Sequence, residues 1–104
     1  MPQPPKLTPE QRTAALAKAA QARRARAELK ELLRTGSVDV HELFRRADAD
    51  EVLAGMKVFA ALAAMPGLGK VKANRLMEEH GIAENRRIRG LGARQRQSLI
   101  EALS

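Results

Sequence analysis

The stretch that decides the reading of this chain is Met65-Pro66-Gly67-Leu68-Gly69-Lys70-Val71-Lys72-Ala73-Asn74-Arg75-Leu76-Met77, closed by Gly81. A tight Gly-Leu-Gly turn feeds straight into a helix. Glycine reaches backbone conformations that set successive N–H groups on one side of the chain and lets another backbone come close. The unpaired N–H groups of a helix start, with the positive end of the dipole behind them, favour a phosphate. Lys70, Lys72 and Arg75 add full charges within the next two turns. Ala73, Leu76, Met77 and His80 recur at i, i+3, i+4 and i+7, which makes one buried helix face. A near-copy of the turn follows at Arg89-Gly90-Leu91-Gly92-Ala93-Arg94-Gln95-Arg96, so two phosphate-holding turns are expected.

Upstream, Lys57 to Met65 presents Val58, Phe59 and Leu62 as the face on which the Ala73 helix packs back. Before it, Asp39 with Glu42 and Asp48 with Glu51 have the spacing of an N-cap and its returning carboxylate. They predict short helices at about 40–47 and 49–55, burying Leu43, Phe44, Val52, Leu53 and Met56. These acidic groups are read as caps and dipole partners rather than catalytic carboxylates. Downstream, Ile82-Ala83-Glu84-Asn85 is a second turn, Arg86-Arg87-Ile88-Arg89 leads to Gly90, and a last helix at about 93–103 buries Leu99, Ile100 and Leu103. No window alternates like a strand. The chain is expected to be all-α.

Thr8-Pro9-Glu10-Gln11 is a strong helix start, with Thr as N-cap, Pro at the first helical position and Gln three after the cap. Strong helix formers continue to Arg34, and Gly36 is the expected stop. Such a helix would be about 39 Å long. Arg23, Arg26, Lys30 and Arg34 fall within an arc of about 80°, with Ala22, Ala25, Leu29, Leu32 and Leu33 towards the other side. The first half has only Leu16 as a large apolar residue, so it should project from the domain. Three parts result: a disordered 1–7, a long basic helix in 8–36, and a helical core in 37–104 with the two-turn module at about 57–104.

Composition limits the chemistry. The 104 residues carry a formal charge of +7 and contain no Cys, Trp or Tyr and two Phe. Without cysteine there is no disulfide scaffold, thiolate zinc site or cysteine nucleophile. His41 and His80 lack metal-ligand spacing, so no metal or cofactor is expected. The scarcity of aromatics argues against base stacking on single strands and favours the duplex backbone. Residues 1–36 hold eight basic and three acidic groups, 37–65 three and five, and 66–104 eight and four. Two basic ends flank an acidic middle, the pattern of two separate contact regions. No secretory signal or apolar run of membrane-spanning length is present, and a soluble, cytoplasmic, monomeric protein is expected.

Helix, two turns, helix and a basic run resemble the helix-two-turns-helix domain of a ribosomal small-subunit head protein and of Fpg-type DNA glycosylases. The whole chain from residue 7 onward resembles the actinobacterial integration host factor family. The features that carry this are Leu7-Thr8-Pro9-Glu10-Gln11-Arg12, Ala22-Arg23-Arg24-Ala25-Arg26-Ala27-Glu28-Leu29-Lys30, Met56-Lys57-Val58, Gly69-Lys70-Val71-Lys72-Ala73 and Arg86-Arg87-Ile88-Arg89-Gly90-Leu91-Gly92. The resemblance implies duplex-DNA binding with little sequence preference, chromosome compaction in the nucleoid and assistance to phage-type integrase complexes. Two departures are expected to be minor: the tail is read as ending at Ser104 without an added basic extension, and Phe59 stands where a smaller residue is expected.

The expected DNA-binding residues are Gly67, Leu68, Gly69, Lys70, Lys72, Arg75, Arg86, Arg87, Arg89, Gly90, Gly92, Arg94 and Arg96. A second contact is expected from Arg23, Arg24, Arg26, Lys30, Arg34 and Lys57. Three other classes compete. A structured-RNA or ribosome-associated role follows from the shared domain. A repair enzyme is disfavoured, because no Asp follows Asp50 and Pro2 precedes Gln3 rather than the Glu of the Fpg type. A membrane role is weakened by the few large apolar residues in 9–22.

Overall fold

A computed structural model describes residues 6–104. The segment expected to be disordered, 1–7, lies outside the described residues except for Lys6 and Leu7, which are exposed and without regular structure. Six α-helices follow, α1 (Pro9–Arg34), α2 (Val40–Ala49), α3 (Glu51–Ala54), α4 (Val58–Ala64), α5 (Gly69–Glu79) and α6 (Ala93–Leu103), with a 3₁₀ turn at Ile88–Gly90.

Local rules account for most boundaries. Thr8 Oγ1 accepts from the Gln11 amide at 3.1 Å while Gln11 Oε1 accepts from the Thr8 amide at 3.0 Å, a reciprocal cap that satisfies two otherwise unpaired donors. Gly36 ends the helix at φ +78°, donating to Leu33 O at 3.1 Å. Asp39 caps α2 by accepting from the Glu42 amide at 2.9 Å. The next boundary corrects the sequence reading. The cap of α3 is Asp50, whose Oδ1 accepts from the Val52 amide at 2.9 Å, and Asp48 stays in the last turn of α2.

The core joins all the elements. Leu29 and Leu33 of α1, Leu43 and Phe44 of α2, Leu62 of α4, Met77 of α5, Ile88 and Leu99 are all buried. Burying each large side chain contributes about 1.5–3 kcal/mol relative to leaving it in water. α4 and α5 make the most extensive helix–helix contact, and each carries a small buried residue, Ala61 and Ala73 (1% and 0% exposed), of the kind that allows close approach. Phe59, half-buried, packs against this core. The C-terminal half of α1 lies on α3 and α4, while residues 9–19 are exposed on all sides and project as continuous helix. That projection gives the molecule its 48 Å long axis.

Candidate nucleic-acid interface

The hairpin turn is built by two glycines in the left-handed region, Gly67 at φ +78° and Gly69 at φ +71°. Leu68 between them turns inward, half-buried against the core, and its amide donates to Met65 O at 3.3 Å. Nothing lies within 4 Å of where a Cβ on Gly67 or Gly69 would stand, so the outer surface of the turn is open. No side chain caps α5 and its first turn holds no acidic residue, which leaves the dipole's positive end uncompensated. Lys70, Lys72 and Arg75 are exposed around it, and none takes part in an ion pair among the described residues.

The second basic element is the loop from Ile82 to Gly92. Gly81, at φ +64°, stops α5 and lets Ile82 turn into the core with its amide donating to Met77 O at 2.9 Å. The loop is then clipped to the α3–α4 junction by an antiparallel bridge between Lys57 and Arg87. Its two hydrogen bonds run from Val58 N to Arg86 O and from Ile88 N to Met56 O, each 2.9 Å. Ile88 is 1% exposed and anchors the loop, which leaves Arg86, Arg87 and Arg89 outside. The hairpin turn and this loop lie at opposite ends of α5, whose eleven residues span about 16 Å. They are therefore two separate basic surfaces.

Three side-chain placements differ from the sequence picture. Arg26 leaves the basic stripe of α1, because its Nε donates to Val52 O at 2.9 Å in a part-buried setting. Arg87 donates through Nη1 to Gly55 O, also part-buried. Arg96 pairs with Asp48 at 2.9 Å, and its guanidinium carbon lies 5.1 Å from the Phe44 ring centroid. Arg86 reaches Gly90 O at 3.2 Å but remains exposed. Arg89 and Arg94 are exposed without ion pairs among the described residues, and Arg89 borders a hollow with Asp48, Asp50 and Glu51. Nor is the second glycine pair a copy of the first. Neither Gly90 nor Gly92 has a positive φ; Gly92, at φ −72°, is the N-cap of α6.

On α1, Arg23, Lys30 and Arg34 remain exposed along one line, with Arg34 held by Glu31. Arg24 points about 100° away from Arg23. Arg12, not singled out from the sequence, continues the line, and Arg12 to Arg34 spans about 33 Å, close to one turn of duplex. The charge spacing could have shown this had the stripe been extended through the projecting half. Lys57 is exposed at the bridge beside Arg87.

Fold and surface together define the class: a helix-two-turns-helix protein with a basic hairpin, a basic loop and a basic helix. The family model described as "S13-like H2TH domain" matches residues 33–103. Proteins named integration host factor from Mycobacterium tuberculosis and Mycolicibacterium smegmatis are each 57% identical over 97 residues, covering 93% of this chain and 92% of each relative. One from Streptomyces coelicolor is 52% identical over 95 residues, covering 91% and 89%. A solved structure described as sIHF bound to an 8-bp palindromic DNA is similar at a TM-score of 0.82 and 44% identity, covering 85% of this chain and 99% of that one. The chain belongs to the actinobacterial integration host factor family.

Proposed function

We propose that this protein binds duplex DNA through the phosphate backbone with little sequence preference, as a nucleoid protein of the cytoplasm rather than an enzyme. The observation that carries the reading is the open Gly67–Gly69 turn at an uncapped, acid-free helix start, with Lys70, Lys72 and Arg75 exposed on that helix and without ion pairs among the described residues. The DNA-bound relative supports it. Arg86 and Arg89, with Arg94 beyond, supply the charge of a second contact. Arg23, Lys30 and Arg34 supply a third along α1. Most such contacts position the protein and carry no sequence information.

Contacts at the loop and along α1 meet separated stretches of duplex, so binding both at once favours bent or bridged DNA, with the added contacts offsetting the deformation. In this reading the bending serves to compact the chromosome and to assist phage-type site-specific integration, in keeping with the name integration host factor that the relatives carry. A gel shift with relaxed duplex, supercoiled DNA and structured RNA at one salt concentration tests the reading. Neutralising six phosphates gives a log K against log salt slope near −5, at about −0.9 per contact. A slope weaker than about −2, or tighter binding to RNA, overturns it. Changing Arg86, Arg87 and Arg89 together to Ala should shrink the slope by about two to three; binding as tight as the parent's would remove the loop from the site. Unchanged contour and bend angle by imaging at saturation would sink the bending.

A further inference from the structure

Two arginines that look like DNA contacts in the sequence converge instead on the last turn of α3. Arg26, from the long helix, donates through Nε to Val52 O at 2.9 Å, and Arg87, from the basic loop, donates to Gly55 O. Gly55 between them is buried, and a Cβ there would stand 2.7 Å from Arg26 Nη2. The absence of a side chain at 55 is what lets the guanidinium lie against this turn. The carbonyls at a helix end have no partner within the helix and carry the negative end of its dipole, so a cation donating to them is well placed. The next residue, Met56, accepts from the Ile88 amide at 2.9 Å and extends the same hub into the loop.

We propose that Arg26 is a positioning residue: through the Val52–Gly55 turn it sets the loop that carries Arg86, Arg87 and Arg89 relative to α1. The spacing of the two basic surfaces is thereby fixed before DNA arrives. Each surface is anchored to the same short turn, so a shift of the turn moves the loop against the long helix. A flexible lysine cannot replace Arg26, because its ammonium lacks the planar fork that donates Nε to Val52 O while Nη2 sits beside Gly55. This assignment rests on the duplex-binding reading for its effect on affinity but not for its effect on the free protein.

Two variants perturb the hub without removing charge. Arg26→Lys keeps the charge and loses the Nε bond. Gly55→Ala changes no charge and pushes away only the far end of the Arg26 side chain, at an ordinary φ of −80°. Hydrogen exchange in the free, full-length chain should quicken at the Val58 and Ile88 amides in both, while the Leu99 amide stays protected. Duplex affinity per folded molecule should fall about three- to tenfold in both, within the range of such coupling. The Arg26→Lys/Gly55→Ala double variant should lose no more than either single change, since both break one contact. Three results overturn the proposal: parental exchange at Ile88, uniformly faster exchange with unchanged affinity, or an Arg26→Lys variant that binds like the parent while Arg26→Gln loses about one contact from the salt slope. If the parent itself fails to bind duplex, the functional reading falls, and the exchange at Val58 and Ile88 still decides whether the hub exists.

Discussion

Gly67-Leu68-Gly69 and Gly90-Leu91-Gly92 share their letters and differ in everything the letters would suggest. The first pair of glycines is left-handed and open to solvent; the second is not left-handed at either position. At Gly90 a Cβ would meet Arg86 Cδ at 3.0 Å, so that glycine makes room for an arginine. Gly92 serves as an N-cap whose amide donates to Gln95 Oε1 at 3.0 Å. Four residues beyond each turn the contrast repeats. Ala73 is wholly buried between α4 and α5, whereas Arg96 stacks on Phe44 and pairs with Asp48. The first triplet is a turn required by the backbone. In the second, Gly90 alone answers to a neighbouring side chain, and Gly92 holds a cap position that other residues can fill.

This contrast can be broken most forcefully at the first turn. Replacing both Gly67 and Gly69 with Ala forces two residues into the left-handed region, at about 1–2 kcal/mol each. Urea unfolding should therefore show a loss of about 2–4 kcal/mol, with duplex binding weakened as the turn opens. Gly92→Ser, by contrast, should change stability by no more than a few tenths of a kcal/mol, since serine is a favoured N-cap. Equal losses at the two sites would make the turns equivalent after all.

Overpacking comes next in size. Ala73→Leu drives a side chain into the α4–α5 contact and should cost about 1–3 kcal/mol. At the matching position, Arg96→Ala removes a ring contact and a partly exposed ion pair and should cost about 1 kcal/mol. The salt slope of DNA binding should stay at the parental value in Arg96→Ala; a slope reduced by about one would return Arg96 to the phosphate contacts.

The smallest effect lies away from both turns and serves as a baseline. Hydrogen bonds from Arg45, then from Arg46, hold the Glu42 carboxylate at a pKa of about 2, below its ordinary value of 4.5. A carboxylate depressed in the folded state stabilises it above the ordinary value, and that contribution is lost as pH falls from about 4.5 to about 2. Glu42→Gln should flatten acid unfolding across this window and leave both glycine turns as they were. A variant with the parent's acid profile would show that the exposed pairs contribute nothing.

Much of the architecture was legible because its rules are local. Thr8 with Gln11, Asp39, Gly36 and the i, i+3, i+4, i+7 pattern from Ala73 each act within a turn or two of chain, and the helices begin and end close to where these residues place them. The open hairpin turn was legible for the same reason. Asp48 was misread because the sequence offers two acidic residues in reach of the next helix start. The choice of Asp50 follows from where α2 ends and from Arg96 claiming Asp48 across a separation of 48 residues.

The sequence by itself therefore determined that the chain is helical, where most of its helices are capped, and that its charge gathers at two ends, one of them at a glycine turn. Only the tertiary structure decided which of those charges are free. Arg26, Arg87 and Arg96 are spent on Val52 O, Gly55 O and Asp48, through contacts 26, 32 and 48 residues apart in the chain. Capping and periodicity are set by neighbours along the chain. The partner of a long, flexible guanidinium is set by whichever carbonyl or carboxylate the packed helices bring within its reach.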